Sequence, residues 1–175
     1  MATVLPIIEH LSPNFTERRG VAAPDMVVLH YTGMESAEAA LARLCDPGPE
    51  VSAHYLIAED GRIWRLVAEE MRAWHAGVSS WDGERDVNSH SIGIELANPG
   101  HELGYPPFPE PQMATMEGLL ARCLDRWAIL PERVVGHEHV APGRKIDPGE
   151  KFDWPRLVRR GLAAWPIIDP GAPQA

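Results

Sequence analysis

Met26-Val27-Val28-Leu29-His30-Tyr31 is a continuous apolar run closed by Thr32-Gly33, the pattern of a buried strand. Ser36 is placed to cap a helix from Ala37 to Cys45, with Leu41 and Leu44 on its inner face. Asp46-Pro47-Gly48-Pro49 stops it. In SAHYLIAEDGRIWRLV two alternating runs flank Glu59-Asp60-Gly61, which predicts a β-hairpin. Ser91-Ile92-Gly93-Ile94-Glu95-Leu96 reads as another strand. Met113, Met116, Leu120, Cys123, Leu124 and Trp127 recur at helical spacing and predict a helix from Pro111 to Ile129. A short strand follows at Arg133-Val134-Val135-Gly136. Asp153, with Pro155 in the first turn, opens a last helix toward Trp165.

Around these elements lie an irregular lead-in over residues 1–24, a long Gly/Ser/Asp-rich loop at 76–89, a second long loop dense in proline and glycine at 98–111, and a Pro/Gly-rich tail over 167–175 expected to fray. There is no internal repeat and no linker. Strands and helices over one core make a single α/β or α+β domain spanning residues 25–166.

Composition narrows the function more than the fold. The chain has 175 residues, 45% of them hydrophobic and 23% charged, ordinary for one globular domain. Its formal net charge of −9 argues against a nucleic-acid binder, which needs a basic face. The apolar runs are too short to span a membrane, and MATVLPIIEHLSPNFTERRG carries neither a secretory h-region nor a lipobox cysteine. No membrane anchor is expected, and the cytoplasm is the expected compartment, the periplasm the second. Cys45 and Cys123 make no CxxC and read as buried free thiols.

Eight histidines is a large number for this length, and several lie at strand ends or in loops. There is no HExxH, Walker A, GxGxxG or GxSxG. His137-Glu138-His139 is not a zincin helix, because Val135-Gly136 and Ala141-Pro142-Gly143 interrupt it on either side. His30, His137 and Asp147 come from separate segments and make a three-ligand set suited to zinc, with a fourth position left for water. Spacing alone does not single this set out, since the chain offers many other His/Asp triples.

Five short motifs occur together and in order: LHYTG at 29–33, SAHYLI at 52–57, AWHAG at 73–77, SIGIELAN at 91–98 and GHEHVAPGRKIDPG at 136–149. With them the chain resembles the zinc-dependent N-acetylmuramoyl-L-alanine amidases of the AmpD/AmiD type, the amidase_2 group related to peptidoglycan recognition proteins. The resemblance runs from about residue 25 to residue 165. It implies a central mixed β-sheet flanked by helices, a Zn²⁺ cofactor and muropeptide substrates. It puts zinc on His30, His137 and Asp147, and leaves His139 off the metal. Glu95 becomes the catalytic carboxylate and Lys145 the catalytic lysine. His54 and His75 recur in the motifs as cleft residues, for substrate contact or for support of the metal ligands.

Asn98 is a further candidate for the peptide or glycan, and Arg72, Arg85 or Arg144 for the carboxylates of an acidic stem peptide. Trp74, Trp81 and Tyr105 are candidates for a sugar-binding wall, set against the commoner role of large aromatics in the core. ELANPG followed by YPPFPEPQM leans toward the AmiD branch, which implies tolerance of both anhydro and ordinary muramic acid.

Overall fold

The structure is a computed structural model and describes residues 6–164. Six strands form one mixed sheet in the order β1-β5-β4-β7-β3-β8. They are β1 (Ile7–Glu9), β3 (Met26–Tyr31), β4 (Tyr55–Ile57), β5 (Ile63–Arg65), β7 (Ser91–Leu96) and β8 (Val134–Gly136). β4 and β5 are the expected antiparallel hairpin, with Leu56 opposite Trp64; every other pair is parallel. β2 (Phe15–Glu17) and β6 (Met71–Ala73) form a separate antiparallel pair.

Side-chain alternation along the two central strands sends neighbours to opposite faces. Val27, Leu29, Ile92, Ile94 and Leu96 pack against Met113, Met116, Leu119, Leu120 and Cys123 of α3 (Glu110–Trp127). α5 (Trp154–Arg159) lies on the same side, where its Leu157 joins that core and Arg156 pairs with Glu110 and Glu117 of α3. On the other face, α1 (Ala37–Cys45) covers Leu56 and Trp64. Ser36 Oγ caps it by accepting from Ala39 N–H at 3.1 Å.

The same alternation puts His30 of β3 and Ser91, Gly93 and Glu95 of β7 on the face away from α3. Parallel register sets Met26 beside Ser91, Val28 beside Gly93 and His30 beside Glu95. His30 and Glu95 therefore end up together near the carboxyl ends of parallel strands, where open α/β sheets place their ligands.

Several expectations need correction. The lead-in is not irregular: it contributes β1, the edge strand beside β5, and β2. Arg18 at the end of β2 fixes this segment by donating to the carbonyls of Glu69 (2.7 Å), Ser89 (2.6 Å) and Ser91 (3.1 Å). The 76–89 loop runs into a short helix, α2 (Val87–His90), and His137–Val140 forms one helical turn, α4. The last helix is capped by Asp153 as expected but ends at Arg159, well short of Trp165. Cys45 is only half-buried, whereas Cys123 is fully buried; both are free thiols. The fraying expected over 167–175 lies outside the described residues. Among the described residues no helix is long and apolar enough to cross a membrane.

Candidate metal centre and active site

His30 is the penultimate residue of β3, and His137 follows directly on β8. Because β3 and β8 are hydrogen-bonded neighbours, with Leu29 beside Gly136, the two imidazoles are delivered to one point. Asp147 reaches it through the turn after α4. There Ala141 C=O accepts from both Arg144 N–H and Lys145 N–H, and Asp147 C=O accepts from Glu138 N–H at 2.9 Å. This is the physical reason that a lysine and an aspartate two places apart sit in a Pro/Gly-rich segment: the backbone folds back onto the helical turn it has just left.

The result is a triangle of donor atoms. His30 Nδ1 and His137 Nδ1 are 3.0 Å apart, and Asp147 Oδ2 is 3.1 Å from each. All three residues are buried. His137 Nε2 lies 3.0 Å from the carbonyl of Ala76. A carbonyl only accepts, so Nε2 carries the proton and Nδ1 presents its lone pair to the triangle. Burial, reinforced by the neighbouring His137, lowers the His30 pKa to about 4, so its ring is neutral. Burial works to raise the Asp147 pKa, but the contacts from His137 and His30 outweigh it and hold the carboxylate ionised, below the usual range. Two imidazoles and one carboxylate within 3.1 Å of one another fit a divalent cation, and these three residues are a candidate metal site.

Glu95 lies beside the triangle on β7. Its Oε2 is enclosed and has no hydrogen-bond partner among the described residues. Desolvation, with a smaller contribution from the Asp147 charge, raises its pKa well above the carboxylate range; Lys145 pulls weakly the other way. Lys145 is exposed and lines the same cleft. The cleft holds about 500 Å³, and its walls include His30, His75, Glu95, His137, Lys145 and Asp147.

The other sequence candidates divide. Arg144 and Trp74 line the cleft. Arg144 is anchored to the carbonyls of Ala76 (2.7 Å) and Val78 (2.9 Å). His75 also lines it, but both ring nitrogens are engaged, with His30 and with Ser91.

His54, Asn98 and Arg72 are not among the residues lining the cleft, and each is bonded within the fold. His54 is fully buried, accepting from Gly93 N–H and donating to Met71 C=O, both at 3.0 Å. Asn98 ties its own loop, donating to Pro106 C=O and accepting from Gly100 N–H. Arg72 is paired with Asp86 at 2.8 Å. Arg85 is exposed away from the cleft lining. Trp81 packs beside the cluster of Met26, Val28 and Val87. Tyr105 is buried, with its hydroxyl donating to Pro148 C=O.

His139 has a local role. Its Nδ1 accepts from Gly136 N–H at 2.8 Å, which ties the start of α4. Cleft residues missed from the sequence include Arg43 and Glu102, which carry no motif signal.

Comparison with known proteins identifies the family. The profile of the family described as Amidase_2: N-acetylmuramoyl-L-alanine amidase matches residues 20–150. The chain belongs to this amidase family. Among its relatives in the family is N-acetylmuramoyl-L-alanine amidase AmiD of Escherichia coli K12, 40% identical over 153 residues, which cover 81% of this chain and 54% of AmiD. The 1,6-anhydro-N-acetylmuramyl-L-alanine amidase AmpD of Citrobacter freundii is 35% identical over 83% of this chain and 85% of its own length. The chain thus spans about half the length of AmiD. The amidase fold also matches the structure of E. coli AmiD in complex with the substrate anhydro-N-acetylmuramic acid-L-Ala-D-gamma-Glu-L-Lys. That match has a TM-score of 0.75 and 37% identity, and covers 89% of this chain and 68% of that one.

Proposed function

We propose that the chain is a zinc-dependent N-acetylmuramoyl-L-alanine amidase. It hydrolyses the amide between the lactyl group of N-acetylmuramic acid, including the 1,6-anhydro form, and L-alanine in muropeptides, as part of peptidoglycan turnover and recycling. The observation that carries this reading is the convergence, on one cleft, of the His30–His137–Asp147 triangle, the unbonded Glu95 carboxylate and Lys145. Relatives acting on anhydromuramyl peptides support the substrate class.

His30, His137 and Asp147 hold the zinc. Bound there, zinc supplies Lewis-acid polarisation and acidifies water toward a pKa of about 7. Glu95 accepts the proton of the attacking water and returns it to the leaving amine nitrogen; a raised pKa matches both halves of that task. Lys145 places its ammonium where the carbonyl oxygen becomes anionic. Arg144 and Trp74 offer the cleft a fixed guanidinium and an aromatic face for the carboxylates and the sugar of the substrate.

A non-enzymatic peptidoglycan-binding role needs neither an unpartnered Glu95 nor Lys145, and the presence of both favours catalysis. The net charge of −9 favours small soluble muropeptides over anionic wall polymers, as expected of a cytoplasmic enzyme, with the periplasm as the second compartment.

The test is mass spectrometry of products from anhydro-muropeptide, ordinary muropeptide and intact sacculus in parallel. Free stem peptide from at least one muropeptide is expected, and its release should stop after complete chelation. No peptide from any of the three, with metal bound, sinks the proposal.

A further inference from the structure

The chemistry around His75 does more than line the cleft. A chain of hydrogen bonds runs from a backbone carbonyl to the metal triangle, and its polarity can be read from the fixed end. Val87 C=O has no proton to give. Ser91 Oγ lies 2.6 Å from it, so the single hydroxyl proton of Ser91 is donated there. Ser91 Oγ must then accept from its other neighbour, His75 Nε2, at 3.1 Å. That fixes the proton of a neutral His75 on Nε2 and leaves Nδ1 with a lone pair. His75 Nδ1 is 3.0 Å from His30 Nε2, which therefore donates to it. His30 Nδ1 is left as a lone pair facing His137 Nδ1 and Asp147 Oδ2.

The backbone around His75 is built for this. The N–H groups of His75 and Ala76 both donate to Asn88 Oδ1, at 3.0 and 2.8 Å. The His75 side chain serves one imidazole of the triangle and the Ala76 carbonyl serves the other, through His137 Nε2. The ring of His75 lies directly on Gly93 of β7. A Cβ there would stand 2.4 Å from His75 Cγ and 2.5 Å from its Cδ2, an impossible approach. Gly93 does not have a positive φ, so the glycine is explained by the ring above it and not by backbone strain.

We infer that His75 is a positioning residue: with Ser91 and the Val87 carbonyl it locks His30 in the Nε2–H tautomer, so that Nδ1 is permanently presented to the metal, and Gly93 is the seat that holds its ring. This rests on the metal-site reading above. Outer partners of ligand histidines set tautomer, ring orientation and basicity, and losing one typically weakens metal binding by about 10–100-fold.

The test uses the full chain stripped of metal. Long-range ¹H–¹⁵N correlation spectra of the histidine-labelled wild type should show His30, His75 and His137 all protonated on Nε2. Zinc affinity is then read by competition with a chromophoric chelator. His75→Ala should weaken zinc binding by about 10–100-fold. His75→Asn, whose Oδ1 can stand in for Nδ1 as acceptor from His30, should recover most of it.

Ser91→Ala, at a buried site that no substrate reaches, should weaken zinc binding by a smaller factor and allow mixed His75 tautomers. Gly93→Ala should reproduce the His75→Ala loss, with circular dichroism reporting whether it remains folded. His30 found as the Nδ1–H form in wild type, or His75→Ala binding zinc as tightly as wild type, overturns the inference. A wild type with no stoichiometric zinc, unaffected by His30→Ala, overturns the metal site itself. The two failures are therefore distinguishable.

Discussion

Glu95 shows how one strand position acquires chemical character. It shares a face of β7 with Ser91 and Gly93, and its Oε2 is enclosed without a partner. In the proposed mechanism, the same desolvation that raises its pKa keeps a proton available for the leaving amine. Glu95→Gln removes the proposed proton acceptor but none of the three proposed ligands. Zinc content measured by atomic absorption should be unchanged and turnover should fall by about 10²–10⁴-fold; a variant as fast as wild type would remove Glu95 from its role. His139, the other half of the His-Glu-His triplet, accepts from Gly136 N–H and lies outside the triangle. His139→Ala should therefore keep stoichiometric zinc while lowering stability by about 1 kcal/mol in urea unfolding, the usual effect of losing an N-terminal helix partner. Loss of zinc in that variant would mean the wrong histidine had been assigned. The five central residues were legible because their motifs match a family. From spacing alone they were not, since the triangle is assembled from three segments by strand register, which a linear sequence does not display. The motif leaves His75 open between substrate contact and support of the metal ligands, because it marks position and not bonding. The clue that was available was Gly93, an interruption between Ile92 and Ile94 that signals a close approach.

At the scale of elements, long periodic segments were readable and short ones were not. β3, β7, α1 and α3 fall where the apolar pattern put them, because each buries a face large enough to leave a signal. β2 and β6 have three residues each and carry no such signal; Arg18 donating to carbonyls of the Glu69 and Ser89–Ser91 segments holds β2 in place. Glu69 is the corresponding anchor on the far side of the sheet. Its buried carboxylate accepts from Tyr55 of β4 and Trp127 of α3, both at 2.6 Å, and pairs with Arg126 at 3.1 Å. Burial opposes ionisation, but these contacts outweigh it and lower the Glu69 pKa. A lowered folded-state pKa means that the stabilisation is present above the unfolded carboxylate value, about 4.3, and is lost as pH falls through the folded value. Glu69→Ala should lower stability at neutral pH by about 1–3 kcal/mol, chiefly because the Tyr55 hydroxyl and the Trp127 indole N–H lose their charged acceptor, while the half-exposed Arg126 is left to water. The gap between variant and wild type should narrow below pH 4. A gap independent of pH would show that the loss is one of packing and not of charge.

For the whole molecule, the ligand set ties distant parts of the chain together. His30 and Asp147 are 117 positions apart, and the triangle joins the end of β3, the residue after β8 and the turn beyond α4. An unfolded chain cannot present these donors at 3.0–3.1 Å, so a metal held at the proposed site would bind the folded state almost exclusively. Mass action would then make the proposed metal a stabiliser as well as a reagent: free zinc at a thousand times its dissociation constant adds about 4 kcal/mol. For a domain of this size each kcal/mol moves the melting temperature by about 2–4 °C. Calorimetry of the chelated and the zinc-loaded protein should therefore differ by roughly 8–16 °C. His30→Ala should abolish the difference. Glu95→Gln should retain it in full, because Glu95 is not one of the three donors. Equal melting temperatures with and without zinc in the wild type would refute a site formed by folding. A difference that survives His30→Ala would place the metal elsewhere on the chain.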